Sequence, residues 1–237
     1  MNREQVLQLI QQHFRTNYLS GAPDIPPHTH NGIDNLPIPY ANLAGLPILS
    51  IGGLNGYQIF TSSGTFVVPS GFTNFLVTAI GSGQGGGSIT SPSTGAGSGG
   101  LSGVYCQSLV SPTGSVTVTI GSAGVHDANG GDVSFGSLVV APGGGSSTLA
   151  VGILIIVAQS GSNTFFSTSG TIFGISGSGG NTPLGIGGAS VYGKASSSQA
   201  GLIGNGYGSG GGGALEFNAG TTVLGGSGTK GIVLITW

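Results

Sequence analysis

Apolar residues fall into three successive patterns along the chain. Over residues 2–14, Val6, Leu7, Leu9, Ile10 and Phe14 recur at helical spacing, with Asn2 placed as an N-cap and Glu4 in the first turn. This predicts a short amphipathic helix. About 13 residues make a marginal helix in isolation, so its stripe requires cover from sister chains or a docking partner. His13 lies near that stripe and reads as a partly exposed residue at the helix end. Residues 21–53 are dense in proline yet apolar, with Ile33, Leu36, Ile38, Leu43, Leu46, Ile48, Leu49 and Ile51 among them. Proline blocks both helix and central strand. An extended apolar chain of this kind does not satisfy itself as a monomer. It predicts a stalk in which apolar side chains of three copies meet on an axis.

From Gln58 the pattern is β. The runs 58–61, 64–68 and 74–80 read as strands, with a turn at Pro69-Ser70-Gly71 between the last two. Further strands are predicted at 103–110, 115–120, 132–141, 149–158 and 231–237. Ser115-Val116-Thr117-Val118-Thr119-Ile120 alternates, as a half-buried strand does. The run from Leu149 to Ala158 is about half a membrane span and reads as a buried strand. Strands at this spacing, joined by glycine-rich turns, indicate a β-sandwich or jelly-roll-like body.

Glycine changes this picture. It supplies 51 of 237 residues, roughly three times average usage, in clusters rather than evenly. Some glycines recur every third residue: Gly97, Gly100, Gly103; Gly174, Gly177, Gly180; Gly201, Gly204. Polyproline II helices have three residues per turn, so such glycines share one edge and let neighbouring helices approach closely. Ordered but irregular loops are the other reading.

Charge is scarce, at 4% of residues with a net −2. This offers no footprint for nucleic acid and no anchor for anionic lipid. No membrane insertion is expected. The first residues lack the apolar stretch of a secretory signal. A durable, charge-poor body without that signal fits a virion part released by lysis. Cys106, the single cysteine, reads as a small buried hydrophobe.

The sharpest local feature is Pro27-His28-Thr29-His30-Asn31-Gly32. Two histidines two apart in an extended segment point to the same side. Three parallel chains would bring six imidazoles to the axis, an octahedral shell suited to iron, nickel, cobalt or zinc rather than magnesium or calcium. The expectation is one iron or other transition-metal ion per homotrimer. The alternative is a pair of stalk histidines hydrogen-bonded along the trimer.

The stretch from His28 to Asn35, with Ile38-Pro39-Tyr40-Ala41-Asn42-Leu43-Ala44-Gly45-Leu46-Pro47, resembles stalk sequences of phage tail fibres and virion spikes. In the needle-like tip of one class of long tail fibres, such His-x-His motifs coordinate iron octahedrally. The resemblance makes His28 and His30 those ligands, although such needles carry several motifs and this chain one. Residues 58–237 resemble the glycine-rich domain that ends many phage tail fibres and adhesins. The resemblance rests on Gly64-Thr65-Phe66-Val67-Val68-Pro69-Ser70-Gly71, the glycine burst after Ile80, and the close on Gly231-Ile232-Val233-Leu234-Ile235-Thr236-Trp237. It implies stacked polyproline II helices and exposed loops that meet a host receptor.

The organisation expected is mainly β. Residues 1–20 form a helix for virion attachment or trimerisation, 21–57 a stalk, and 58–237 a glycine-rich head. The function expected is that of a viral fibre or spike on the external surface of the virion. Its N-terminus would meet other virion proteins, and its head a host-cell protein or glycan through Phe173, Tyr192, Leu202, Ile203 and Tyr207. A capsid-decoration or extracellular filament subunit without receptor binding is the alternative, and an ice-binding or matrix protein a further one. No enzyme is expected. Asp127, Asp132 and Glu216 are the sole candidates for a sugar-cleaving carboxylate pair, and the loop His126-Asp127-Ala128-Asn129-Gly130-Gly131-Asp132 reads as a surface turn.

Overall fold

The structure, a computed structural model, describes residues 55–152, 154–156, 164–168, 171–218 and 220–237. The predicted N-terminal helix, the stalk up to residue 54, and His13, His28 and His30 lie outside the described residues. The described part is mainly β, without a helix, and its strands pair in small antiparallel sheets. In chain order the strands are β1 (Tyr57–Phe60), β2 (Gly64–Phe66), β3 (Phe75–Ile80), β4 (Gly95–Ala96), β5 (Tyr105–Val110), β6 (Val116–Ile120), β7 (Val133–Phe135), β8 (Val139–Ala141) and β9 (Leu154–Ile156). They continue with β10 (Thr164–Thr168), β11 (Thr171–Ile175), β12 (Gly185–Ile186), β13 (Tyr192–Lys194), β14 (Ser198–Gln199), β15 (Asn205–Gly206), β16 (Leu215–Glu216) and β17 (Ile232–Thr236).

Two sheets hold the apolar core. One has the order β1-β17-β3-β5-β9 and the other β2-β6-β7-β8. Side chains alternate across a strand. Thus Phe75, Val77, Ala79, Cys106, Val110, Val233 and Ile235 of the first sheet share one cluster with Phe66, Val118, Val133, Phe135, Val139 and Ala141 of the second. Aromatic rings anchor it. Phe66 stands 5.3 Å from Phe75, 5.6 Å from Phe135 and 5.9 Å from Trp237, in tilted or edge-on geometry, which suits the ring quadrupole. The Cys106 thiol is buried within it, its Sγ 3.3 Å from the Val140 carbonyl, and burial pushes its pKa up to about 11.

The strand expected over 132–141 is two strands. Gly136 adopts φ +53° between β7 and β8, a left-handed conformation that glycine allows, and the chain reverses there. The buried strand expected over 149–158 is corrected in its first residues, and residues 153, 157 and 158 lie outside the described residues. Leu149 is 84% exposed, Val151 only bridges to Val140, and the strand itself is the shorter β9 at the sheet edge.

Beside three smaller sheets and a second apolar cluster of Ala96, Val191 and Leu215, glycine runs build much of the body. The amides of Gly81, Gln84 and Gly87 donate to Val104, Leu101 and Ser98; those of Ser82 and Gly85 to Gly131 and Ala128; those of Gly83 and Gly86 to Thr229 and Gly226. Successive residues therefore turn to three neighbours in rotation, and each neighbour is met again three residues later. That is the period of a polyproline II helix. The edge Gly97, Gly100, Gly103 behaves alike, donating to Ala214, Gly211 and Gly208 at 2.7–2.8 Å. A Cβ on Gly86 would overlap the carbonyl of Gly212, and one on Gly213 the carbonyl of Gly97. Glycine is needed here for close approach. Hydrogen bonds between backbones thus replace apolar packing, and no described buried side-chain polar atom lacks a partner.

Candidate functional site

Two loops leave the glycine runs and close on each other. The first spans residues 181–187. Asn181 Oδ1 accepts the Gly187 amide at 2.7 Å, which folds the loop back on itself. The second spans residues 202–208 and turns at Asn205-Gly206, where Gly206 has φ +78°. Strands β12 and β15 pair the two loops, Gly185 against Gly206 and Ile186 against Asn205. The Tyr207 amide donates to the Leu184 carbonyl at 3.0 Å, and Thr182 Oγ1 to the Tyr207 carbonyl at 2.6 Å. Ser209 Oγ donates to the Asn205 carbonyl at 2.9 Å.

This rigid double loop presents apolar side chains to solvent. Ile186 is 72% exposed, Ile203 69%, Leu202 50% and Leu184 47%. The segment of Leu202 and Ile203 is tied at its root, since the Leu202 carbonyl accepts the Gly212 amide. Four large exposed apolar side chains on paired loops form a surface with contact area and little conformational entropy to lose. A shallow depression lies among Thr182, Pro183, Leu184, Ile186 and Asn205.

The five residues predicted for receptor contact fall into two groups. Leu202, Ile203 and Tyr207 belong to the double loop, with Tyr207 half-buried. Phe173 and Tyr192 belong to the separate β10-β11-β13 sheet. There Phe173 pairs with Lys194 and Ile175 with Tyr192, so Phe173 and Tyr192 share one face as diagonal neighbours. Tyr192 is 66% exposed, and Phe173 is half-buried. Leu184 and Ile186 were not foreseen. Their apolar character was visible, but only the pairing of two loops some twenty residues apart places Ile186 opposite Asn205 and Leu184 against the Tyr207 amide.

The acidic groups have local work. Asp132 accepts the Gly143 amide at 2.9 Å and the Thr148 hydroxyl at 2.5 Å. Desolvation alone would raise its pKa, but the hydrogen bonds from Thr148, Gly143 and Ser146 outweigh it and hold the carboxyl below its ordinary value. Asp127, at φ 61°, accepts the Ser88 amide at 2.8 Å. Glu216 is fully buried on β16, accepting the Asn218 amide and the Thr221 hydroxyl. Among the described residues, no three His, Cys, Asp or Glu side chains gather as a metal site. Nor is any described helix long and apolar enough to cross a membrane.

No protein-family model matches the chain, and no curated protein is detectably similar to it.

Proposed function

We propose that the protein is a phage-type virion fibre or spike, carried as a homotrimer on the external surface of the particle. The N-terminal segment meets other virion proteins, and the glycine-rich body binds a host-cell protein or glycan without enzymatic action. In this reading the part of residues 21–57 that precedes β1 forms the trimeric stalk, His28 and His30 hold one iron or other transition-metal ion per trimer, and the two core sheets are a sandwich. The observation that supports receptor binding most is the exposed apolar set Leu184, Ile186, Leu202 and Ile203 on loops braced by each other's backbones. A second contact area is the Tyr192 and Phe173 face.

The test is competition. The purified full chain should block adsorption of the virus that carries it, and Ile186→Asp with Ile203→Asp should abolish blocking. Both side chains are exposed, so the double variant should melt within about 0.5 kcal/mol of the parent. A folded wild-type trimer that never blocks adsorption would favour a purely structural role.

A further inference from the structure

Among the described residues, the outer face of the five-stranded sheet is largely apolar and uncovered at one end. Strand alternation puts Tyr57 and Ile59 of β1, Leu234 of β17, Leu76 of β3 and Leu109 of β5 on the side opposite the core. The register aligns Tyr57, Thr236, Leu76 and Leu109 in one row across four strands. Tyr57 is 69% exposed, Leu109 61% and Leu76 39%. The next row contains Ile59, Leu234, Thr78 and Gln107, and there Gln107 Nε2 donates to Thr78 Oγ1 at 2.9 Å. Its polar side chains therefore satisfy each other. The third row, with Ile80 and Ile232, is buried. The glycine bundle covers that end: a Cβ on Gly208 would overlap the Ile80 side chain.

We propose that this face is the contact between the heads of neighbouring copies of the chain. Two observations select a second copy as the occupant. The open row and the partly covered row beside it carry no charge, so identical faces meet without like-charge repulsion. The open end is where the preceding 54 residues lead in, since the Asn55 and Gly56 amides both bond the Trp237 carbonyl beside Tyr57. Chains joined through those residues would hold their open rows at high effective concentration. Scattered exposed apolar residues need no explanation, but an aligned row on one sheet face does. The proposal rests on the homotrimer reading above and deepens it, adding a head contact to the stalk.

Leu109→Cys in the full chain reports on the face, and Leu138→Cys, on the β7–β8 turn, serves as an exposed reference. Cys106, fully buried, stays silent to maleimide. The proposal expects a trimer by light scattering, labelling of Leu109→Cys at least about tenfold slower than of Leu138→Cys, and interchain products with a short bismaleimide. A trimer whose Leu109→Cys labels as fast as the reference overturns the head contact and leaves the stalk reading standing. So does slow labelling without interchain products, because the cover is then not a second copy. A monomer overturns both readings.

Discussion

Gly210 lies against Gly100 so closely that a Cβ on the first would overlap the carbonyl oxygen of the second. Gly100 is already committed, its amide bonded to Gly211 at 2.8 Å and its carbonyl to the Gly180 amide at 2.9 Å. Neither backbone can retreat without breaking a bond on its far side. Gly210→Ala should therefore destabilise the head by roughly 1–3 kcal/mol or more. In a domain of this size that lowers the melting temperature by several degrees. Gly114→Ala is the control, because nothing stands within 4 Å of its Cβ. That variant should be neutral or slightly stabilising, through a less flexible unfolded chain. Equal melting of the two variants would contradict close packing as the reason for glycine.

What the sequence discloses depends on the range of the interaction. The alternation at 115–120 is local and appears as β6, with Val118 buried between exposed Thr117 and Thr119. The spacing of Gly97, Gly100 and Gly103 is also local, and all three bond one opposite segment. The reversal at Gly136 was less legible, because a lone glycine within an apolar run looks like strand. The burial of Glu216 was not legible at all, since a carboxylate ordinarily reads as surface. Its cover comes from residues around it in three dimensions. Strands β10 to β16 escaped prediction because most are two or three residues long, too short to show a period, and the two longer ones, Thr164–Thr168 and Thr171–Ile175, are set by pairing with each other. The division of the five receptor candidates between two surfaces has the same origin: pairing across the chain decides it.

Asp132 ties the turn at Gly143 to Thr148 through its carboxylate. Its pKa is depressed in the fold, so the unfolded chain takes up the proton first as pH falls. The stability it contributes is present above the ordinary carboxylate pKa of about 3.9 and is lost as pH drops through the lower folded value. Asp132→Asn should thus cost stability at pH 7, by about 1 kcal/mol given a largely exposed group. The gap should close under strongly acidic conditions. Chemical denaturation of both proteins across that range measures it. A gap independent of pH would assign the loss to shape rather than charge.

Strand β17 lies between β1 and β3, and Trp237 follows it. The indole stands 5.9 Å from Phe66 and 6.0 Å from Phe75, and Gly56 lies directly against it. Removing Lys230 to Trp237 takes away a central strand, exposes two neighbours' backbone groups and strips the core of Val233 and Ile235. The truncated chain should not fold. Trp237→Ala is the milder change and should cost about 3 kcal/mol, near the lower end for a large aromatic, because the ring is only half-buried. A truncated chain melting cooperatively at the wild-type temperature would make the strand peripheral.

Glu216 is buried whole in a chain with ten charged groups. Its oxygens receive the Asn218 amide and the Thr221 hydroxyl, which pins the segment after β16. Glu216→Leu keeps most of the volume and leaves both donors without their acceptor. Asn218 and Thr221 are themselves exposed, so water can replace the lost acceptor, and the cost should be about 1–3 kcal/mol, the net worth of the two hydrogen bonds. Glu216→Gln retains an acceptor and should lose less. Denaturant midpoints for the two variants give the comparison, and equal losses would mean that the acceptor is immaterial.

The proposed metal clasp makes the last prediction. Six imidazoles from His28 and His30 of three chains should retain about one transition-metal ion per trimer, measurable by elemental analysis of protein purified without chelator. The ligands bind as neutral imidazoles, whose ordinary pKa is about 6.5. Acid should therefore release the ion as protons compete for the nitrogens. His28→Ala or His30→Ala halves the ligand set to three, and retention should fall sharply. Metal bound only to folded chains stabilises them by mass action, so chelation should lower the temperature at which the trimer dissociates. The core around Phe66 and Trp237 contains neither histidine, and its own melting should shift little. A trimer that carries no metal would leave His28 and His30 as hydrogen-bonding residues of the stalk, and the trimer would then rest on apolar contact alone.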